Sequence, residues 1–418
     1  MFRLEMREYN IHTLPNGIRL AHKQVMHTKI VHCGIMLDIG SRDEKPHQVG
    51  LAHFWEHMAF KGTKKRKSFH INNKLEAVGG ELNAYTTKEK ICFYAAVLDN
   101  HFEKAIDVLS DITFNSVFPE KQLEKERDVI LEEMSMYLDS PEDALQDDFD
   151  GVIFQDHSLG NNILGTKSSV QNFKREDLQN FILENLNTER IVVSVVGNIS
   201  FKKAIKLVEK YLVETAPFSG KNERSQPLSY KPTSLTFDKP ISQGHMALGL
   251  PSYSLHHENR IAYFALINLL GGPSMNSRLN TSLREKNGLV YGIDANYTAF
   301  TDCGYTSIYF ATEGKKMNKA KQLILKEINL LKEKTLGSLQ HKTLKEQLMG
   351  QLAMSDESNQ SFMLMMAKSL LDLNKVNTLE EIFEAIKAIT PTQLRDLAVD
   401  TLPADNWSYL TFNPVSED

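Results

Sequence analysis

The sequence predicts an α+β fold with two similar domains, each built on a mixed or antiparallel sheet that helices cover. Segments with strand patterns and segments with helix patterns alternate along the chain. The order of these segments in the first half returns in the second half, which indicates an internal repeat. The chain has 418 residues, which is enough for two domains that each bury a core.

The first half predicts two strand regions, an apolar helix, two further strands and two longer helices. In chain order, these elements span residues 9–22, 30–38, 51–60, 81–86, 91–98, 101–115 and 120–138. Strands interleaved with helices in this way predict a sheet with helices packed on one face.

The second half predicts a similar order in degenerate form: a strand, an apolar helix, two strands and a helix. These elements span residues 242–250, 259–270, 292–299, 304–311 and 317–334. The segment Asn83-Ala84-Tyr85-Thr86 is echoed by Asn296-Tyr297-Thr298. We therefore expect homologous domains at 1–215 and 235–418, joined by a polar linker with several prolines at 216–234.

The apolar helix at 51–60 contains an H-x-x-E-H motif, formed by His53, Glu56 and His57. On a helix, His53 and His57 lie on the same face, so both imidazoles can reach one metal ion. Glu56 lies beside them, where its carboxylate can act as a general base on water. The second apolar helix, at 259–270, has no histidine and no acidic residue, so only the first domain is expected to bind metal.

The alternative interpretation is that these histidines are ordinary core residues. The helix is apolar on nearly every side, since it also contains Leu51, Met58 and Phe60. Two histidines and a glutamate in such a helix would be costly without partners, which favours metal binding. A catalytic zinc site keeps one position for water, so it needs one further protein ligand.

The third ligand is predicted in the helix at 120–138. On a helical wheel, Glu133 falls within a stripe formed with Val129, Ile130, Met136 and Tyr137. A carboxylate in an apolar stripe should be paired or metal-bound, so we predict Glu133 as the ligand. Glu126 lies two turns earlier on this stripe, where it can accept a hydrogen bond from a ligand imidazole. Glu124 and Glu132 are expected to face solvent.

Together these motifs resemble the pitrilysin/insulinase family of zinc peptidases. The resemblance rests on L-P-N-G-I-R-L at 14–20, G-S-R-D-E at 40–44, G-L-A-H-F-W-E-H-M-A-F-K-G-T at 50–63 and E-R-D-V-I-L-E-E at 126–133. It covers essentially the whole chain and is closest to the half-length branch that includes mitochondrial processing peptidase and its bacterial relatives. It implies an inverzincin peptidase with one Zn²⁺ per chain, bound by His53, His57 and Glu133, and with Glu126 supporting a ligand histidine.

The resemblance also implies residues that bind substrate. An arginine and a tyrosine seven positions apart face the zinc in the family, and Arg284 and Tyr291 fit this spacing. The arginine would hold a substrate carbonyl, and the tyrosine would donate a hydrogen bond to a developing oxyanion. Asn83 and Ala84 match a sheet-edge segment to which an extended peptide can add as a strand. Without the resemblance, Arg284 would be interpreted as a surface residue, Tyr291 as a core aromatic and 83–86 as an ordinary strand.

The predicted function is a zinc-dependent endopeptidase for short or unfolded peptides, in which Glu56 is the general base and Tyr291 helps to polarise the carbonyl. Full-length relatives place the metal and the Arg/Tyr pair in different domains of one chain. The resemblance therefore implies a homodimer in which Arg284 and Tyr291 act in trans. Some relatives divide these motifs between two subunits, and others are non-catalytic structural subunits, so both alternatives stay open.

Composition agrees with a soluble enzyme. The net charge of −5 gives no reason to expect nucleic acid or an anionic membrane as partner. No apolar run is long enough to span a bilayer, and residues 1–5 lack the apolar core of a signal peptide. Cys33, Cys92 and Cys303 are too far apart for a metal or redox motif, so reduced thiols in the cytoplasm are expected.

Overall fold

A computed structural model describes residues 9–221, 224–227 and 229–415 of the chain. Positions 222, 223 and 228 of the predicted linker lie outside this range. Residues 1–5, on which the prediction of no signal peptide depends, also lie outside it. Among the described residues, no helix combines the length and the apolar character that a bilayer crossing requires.

The described residues form eleven strands and fourteen α-helices. The strands are β1 (Asn10–Thr13), β2 (Arg19–Gln24), β3 (Ile30–Leu37), β4 (Glu81–Thr86), β5 (Ile91–Leu98), β6 (Ile191–Gly197), β7 (Ser234–Lys239), β8 (Gly244–Ser252), β9 (Ile293–Ala299), β10 (Gly304–Thr312) and β11 (Ser408–Pro414). The helices are α1 (Leu51–Ala59), α2 (Ser68–Glu76), α3 (Phe102–Phe114), α4 (Glu120–Asp139), α5 (Pro141–Ile153), α6 (Lys167–Asn172), α7 (Arg175–Asn185), α8 (Phe201–Leu212), α9 (Arg260–Gly271), α10 (Met317–Glu333), α11 (Ser338–Asp356), α12 (Asn359–Leu373), α13 (Leu379–Ala388) and α14 (Pro391–Thr401).

The chain divides into two compact units, and each unit draws on separate stretches of sequence. The first comprises the described residues of Met1–Met134, Asn161–Arg224 and Met354–Thr378, and the second those of Ser135–Gly160, Ser225–Ala353 and Leu379–Asp418. One boundary, between Arg224 and Ser225, falls inside the linker predicted at 216–234. The contiguous domains predicted at 1–215 and 235–418 differ from these units, because 135–160 and 354–378 each pack with the opposite half of the sequence.

The first unit is built on a six-stranded sheet with the order β1-β2-β6-β3-β5-β4. β2 and β6 are parallel and the other neighbours are antiparallel, so the sheet is mixed. One face packs against helices that include α1, α3 and α4, and the other face packs against α12. Val193 and Val195 face the first core while Val192 and Val196 face α12, so strand β6 is buried throughout.

The second unit is built on a five-stranded mixed sheet with the order β7-β11-β8-β10-β9. One face packs against helices that include α9, α10 and α14, and the other packs against Leu145, Phe149 and Val152 of α5. Mixed sheets covered by helices are confirmed. The prediction that helices cover one face only is wrong. Helix α12 covers the second face of the first unit's sheet, and α5 covers the second face of the second unit's sheet.

The elements that carry the candidate site agree closely with the sequence prediction. The helix predicted at 51–60 is α1, the strands at 81–86 and 91–98 are β4 and β5, and the helix at 120–138 is α4. β4 and β9 are both edge strands of their sheets, and they contain the Asn83–Thr86 segment and its echo. This correspondence supports the predicted internal repeat.

Candidate metal centre

Helix α1 begins at a turn that needs glycine. Gly50 has φ of 98°, a left-handed conformation, and a β-carbon there would lie 2.7 Å from backbone atoms of Leu164 and Gly165. The cap comes from Glu44, whose buried carboxylate accepts hydrogen bonds from the N–H groups of Gly50 and Ala52 at 2.9 and 2.7 Å. Burial raises the pKa of Glu44 to about 8, although the hydrogen bonds from Ala52 and Gly50 oppose this shift. By accepting these two hydrogen bonds, the Glu44 side chain fixes the start of the motif helix.

One face of α1 anchors the helix, and a neighbouring face presents the histidines. Phe54, Trp55 and Met58 are fully buried in the core beneath the helix. His53 and His57 lie one turn apart with their ring centroids separated by 4.6 Å. The structure therefore brings the two imidazoles together, as their spacing predicts.

Glu133 of α4 completes a cluster with these two histidines. Its Oε2 lies 3.7 Å from Nε2 of His53 and 3.5 Å from Nε2 of His57. One ligand atom from each of the three residues lies within 4.8 Å of the other two. Within the described part of the chain, this is the one His/Cys/Asp/Glu cluster with such geometry.

These separations fit a single metal ion. Two ligands bound to zinc at about 2.0–2.1 Å and at a tetrahedral angle are about 3.4 Å apart. The separations of 3.5 and 3.7 Å between Glu133 Oε2 and the two imidazole nitrogens are close to that value and longer than ordinary hydrogen bonds. Two imidazoles and one carboxylate, with a position left for water, are typical of catalytic zinc.

The helical-wheel reason for choosing Glu133 is wrong in part. Val129, Met136 and Tyr137, which were predicted to form an apolar stripe with it, are 48%, 67% and 39% exposed. The buried residues of α4 are Leu123, Glu126, Ile130 and Met134. Only a narrow strip of this long helix contacts the core, so Glu133 lies at the margin of the buried face, where it reaches the histidines.

Glu126 connects the cluster to a lysine. Its Oε2 lies 3.2 Å from Nδ1 of His57, and its Oε1 lies 2.6 Å from Nζ of Lys61. Burial opposes ionisation of Glu126, but the hydrogen bonds with His57 and Lys61 outweigh it and lower the pKa of this carboxyl. The carboxylate thus holds His57 with Nε2 facing Glu133, as carboxylates commonly orient metal-binding imidazoles.

The two imidazoles differ in their affinity for protons. Burial and the neighbouring His57 lower the pKa of His53 to about 4, although Glu133 opposes this shift. Burial also lowers the pKa of His57, but hydrogen bonds with Glu126 and Glu133 outweigh it and raise this pKa to about 9. The surrounding carboxylates therefore favour positive charge at His57, and a divalent cation would replace the proton there.

The carboxylate of Glu56 forms a hydrogen bond with a residue outside the cluster of His53, His57 and Glu133. Its Oε2 accepts a hydrogen bond of 2.5 Å from Oγ1 of Thr86, at the end of strand β4. Burial raises the pKa of Glu56 above its ordinary value, while the Thr86 hydrogen bond and His57 oppose the shift. A carboxylate with a raised pKa is better suited to accept a proton near neutral pH.

Strand β4 borders the site with its free edge. Asn83 is exposed and Ala84 is partly buried, and the strand is the last one of the sheet. A cavity of about 310 Å³ beside the strand is lined by these two residues together with Glu56 and His57. An outer sheet edge next to the candidate metal centre is the arrangement that strand addition by a peptide requires.

Arg284 and Tyr291 belong to the second unit. Arg284 lies in a π-helical turn at Asn280–Glu285, and its guanidinium lies over the Tyr291 ring, 5.2 Å from the ring centroid. Tyr291 is 87% exposed, so it is not the core aromatic that residue type alone suggests. The structure pairs these two side chains by a cation–π contact and leaves the tyrosine hydroxyl open to solvent.

Sequence reasoning missed three functional candidates: Glu44, Lys61 and Thr86. Glu44 carried a usable signal, because an acidic residue shortly before a predicted helix can cap its N-terminus. Lys61 and Thr86 carried none, because each acts on a residue far away in sequence. Such pairs are visible only when the fold brings α1 together with α4 and β4.

Two family models match the chain. The model described as Insulinase (Peptidase family M16) matches residues 19–167, a range that includes the candidate metal cluster and Glu56. The model described as Peptidase M16 inactive domain matches residues 172–348, a range that includes Arg284 and Tyr291.

Individual proteins show the same similarity. An uncharacterized zinc protease of Bacillus subtilis (strain 168) is 35% identical over 387 residues, which cover 93% of this chain and 94% of that protein. An uncharacterized zinc protease of Streptomyces coelicolor is 31% identical over 399 residues, which cover 93% of this chain and 86% of that protein. Among solved structures, a peptidase M16 inactive domain from Pseudomonas fluorescens has a TM-score of 0.90 at 16% identity, covering 98% of this chain and 99% of that one. A protease from Helicobacter pylori has a TM-score of 0.90 at 20% identity, covering 97% of this chain and 99% of that one. At these identities, the two structures establish the fold alone.

Proposed function

Since the chain belongs to the insulinase family, peptidase family M16, we propose that it is a zinc-dependent endopeptidase that cleaves short or unfolded peptides. The observation that carries this proposal is the cluster of His53, His57 and Glu133, with Glu56 beside it. The similar zinc proteases are themselves uncharacterized, so their names support the class of enzyme and give no substrate.

His53, His57 and Glu133 are the residues that would hold one Zn²⁺ per chain. Zinc, when bound, polarises a peptide carbonyl and makes water more acidic. Glu126 orients His57 through its Nδ1, and Lys61 holds the second oxygen of Glu126. These contacts keep the imidazole of His57 in position.

Glu56 acts as the general base and then as the general acid. It takes a proton from the attacking water and passes it to the leaving amine as the peptide bond breaks. Its raised pKa makes the carboxylate a competent proton acceptor, and Thr86 orients the carboxylate by donating a hydrogen bond.

The peptide binds along the outer edge of β4. Main-chain groups of Asn83 and Ala84 pair with an extended substrate, which makes binding largely independent of side-chain sequence. A strand-like substrate must be unfolded over several residues, so folded proteins are poor substrates. We therefore expect a preference for short or unfolded peptides.

Arg284 and Tyr291 complete the site from the second subunit of a homodimer. Arg284 holds a substrate carbonyl, and the exposed Tyr291 hydroxyl donates a hydrogen bond to the developing oxyanion. Mixing Glu56→Gln chains with Tyr291→Phe chains tests this arrangement. Mixed dimers regain one intact site if the pair acts in trans, and they stay inactive if it acts within one chain.

The cysteines favour a reducing compartment. Cys33, Cys92 and Cys303 form no disulfide, and the first two are buried. Cysteines outside disulfides are typical of proteins that stay in the reducing cytoplasm, where we place this enzyme.

Cleavage of a quenched fluorescent peptide mixture tests the proposed function. We expect cleavage that a chelator abolishes and that added zinc restores. Absence of cleavage by folded, zinc-loaded protein would contradict the proposal and favour a non-catalytic subunit or one that needs a different partner. A buffer control with zinc alone separates catalysis by the protein from catalysis by free metal.

A further inference from the structure

The cavity beside the candidate metal centre lies within the first unit, with walls from α1, α2, β4 and α4. Its volume is about 310 Å³. A cavity of about 150 Å³ in another protein is enough to hold benzene, so this one has room for a long side chain. Because Glu56 and His57 form part of its wall, whatever it binds lies next to the reacting bond.

Part of the cavity wall is electrically balanced. Lys61 and Glu126 both line it, and Nζ of Lys61 lies 2.6 Å from Oε1 of Glu126. The side chain of Glu126 is 7% exposed and that of Lys61 is 26% exposed, so the pair is shielded from solvent. A close ion pair of this kind leaves little net charge to attract a charged ligand.

Another part of the cavity wall, on α2, carries the negative charge of Glu76. Asn72 and Glu76 lie one turn apart on α2, both are exposed, and both line the cavity. Within the described part of the chain, Glu76 forms no ion pair. The amide oxygen of Asn72 adds a hydrogen-bond acceptor beside that carboxylate.

The cavity wall also has an apolar part. Phe60 and Leu82 are partly buried, pack against the core of the first unit and line the cavity. Lysine and arginine have an aliphatic stem that packs on apolar surface and a charged head that prefers a polar partner. A cavity that combines this apolar wall with Glu76 and Asn72 suits such a side chain.

Resting on the proposed peptidase function, we infer that this cavity binds the side chain of the substrate residue that follows the scissile bond, with Glu76 selecting lysine or arginine there. The position follows from the role of Glu56. A residue that delivers a proton to the leaving amine lies on the leaving-group side of the scissile bond. A cavity walled by Glu56 therefore belongs to the residue that carries this amine.

Cleavage-site mapping by mass spectrometry tests the inference, with a peptide library randomised on both sides of the scissile bond. We expect the wild-type enzyme to favour lysine and arginine over aspartate and glutamate after the cut by about two- to fivefold, as for an exposed ion pair. Glu76→Gln should remove this preference. Glu76→Lys should invert it, and it should change the basic-to-acidic ratio by about tenfold, because attraction becomes repulsion. Glu124→Lys, an equal charge change at an exposed α4 position, is the matched control and should keep the wild-type preference.

The possible outcomes separate this inference from the proposed function. Cleavage with no charge preference after the cut, or with a preference that Glu76→Gln and Glu76→Lys leave unchanged, overturns the inference alone. A preference for basic residues that appears before the cut overturns the placement of the cavity. Absence of cleavage by zinc-loaded wild-type protein overturns the proposed function and the inference together.

Discussion

Helices α1 and α9 occupy corresponding places in the two units but differ in what they bury. Each contacts the edge strand of its sheet, β4 for α1 and β9 for α9. In α9 the buried face contains Tyr263, whose hydroxyl bonds to Thr306 at 2.6 Å, and its other buried residues are apolar. In α1 the buried residues include His53, whose Nε2 lies 3.7 Å from Oε2 of Glu133, beyond ordinary hydrogen-bond distance.

One scaffold therefore serves two purposes. Helix α9 satisfies its polar atoms internally and contributes packing. Helix α1 places two imidazoles and a carboxylate where burial alone would be unfavourable, so its arrangement makes physical sense with a metal ion.

Loss of the general base should give the largest effect. Glu56→Gln keeps the shape of the side chain but removes its basic carboxylate, so we expect turnover to fall by about 10²- to 10⁴-fold with zinc retained. Peptide cleavage by samples of equal zinc content measures this. Phe264→Leu, on the exposed side of α9, is the comparison and should stay within about twofold of wild type. A Glu56→Gln enzyme with wild-type turnover would show that Glu56 is not the base.

Loss of the carboxylate that contacts Nδ1 of His57 should weaken zinc binding. Glu126→Gln removes the charge that orients Nδ1 of His57, so we expect zinc affinity to fall by about 10- to 100-fold. Competition with a chromophoric chelator measures the affinity. Glu124→Gln, on the exposed side of the same helix, should bind zinc as the wild type does. Equal affinities for the two variants would mean that Glu126 has no part in holding the metal.

Loss of the cap on α1 should reduce stability. Glu44→Ala leaves the N–H groups of Gly50 and Ala52 without their carboxylate partner. We expect the free energy of unfolding to fall by about 0.5–2 kcal/mol, measured by urea denaturation with zinc in excess. Asn259 forms no side-chain cap on α9, so Asn259→Ala should cost less. The reverse order would contradict the role given to Glu44.

Loss of the hydroxyl beside Glu56 should move the pH profile. The Thr86 hydrogen bond lowers the pKa of Glu56, so Thr86→Val should raise this pKa and shift the acidic limb of kcat/KM upward by about one pH unit. Activity on the acidic side falls because more of the base is protonated. Thr298→Val, at the echo position in β9, should leave the limb in place. A downward shift in Thr86→Val would contradict the assignment.

Much of the site was predictable because its signals are local. The spacing of His53 and His57 encodes a shared helix face, and β4 and β5 have bounds that their residue pattern predicted. The structure places Glu133 beside the two histidines. The apolar stripe is an incomplete reason to select this residue, because the burial of a helix depends on the width of the surface that it contacts. Val129 and Met136 are exposed, which shows that a helical wheel cannot predict how wide the buried face of a helix is.

The missed features depend on distant contacts. Helices α5 and α12 each cover a sheet made mainly from the other half of the chain, and no local pattern encodes such a partner. One signal was available: the run Ile191–Gly197 is apolar at nearly every position, as in strands buried on both faces. That run could have predicted a helix layer on the second face, although not which helix provides it.

Zinc content of the purified protein measures most directly whether His53, His57 and Glu133 form a metal site. After weakly bound metal is removed, we expect one zinc per chain in the wild type and in Glu56→Gln. His57→Ala and Glu133→Ala should retain almost none while keeping wild-type circular dichroism. Full zinc content in both ligand variants, or none in a folded wild-type protein reconstituted with zinc, would contradict the assignment.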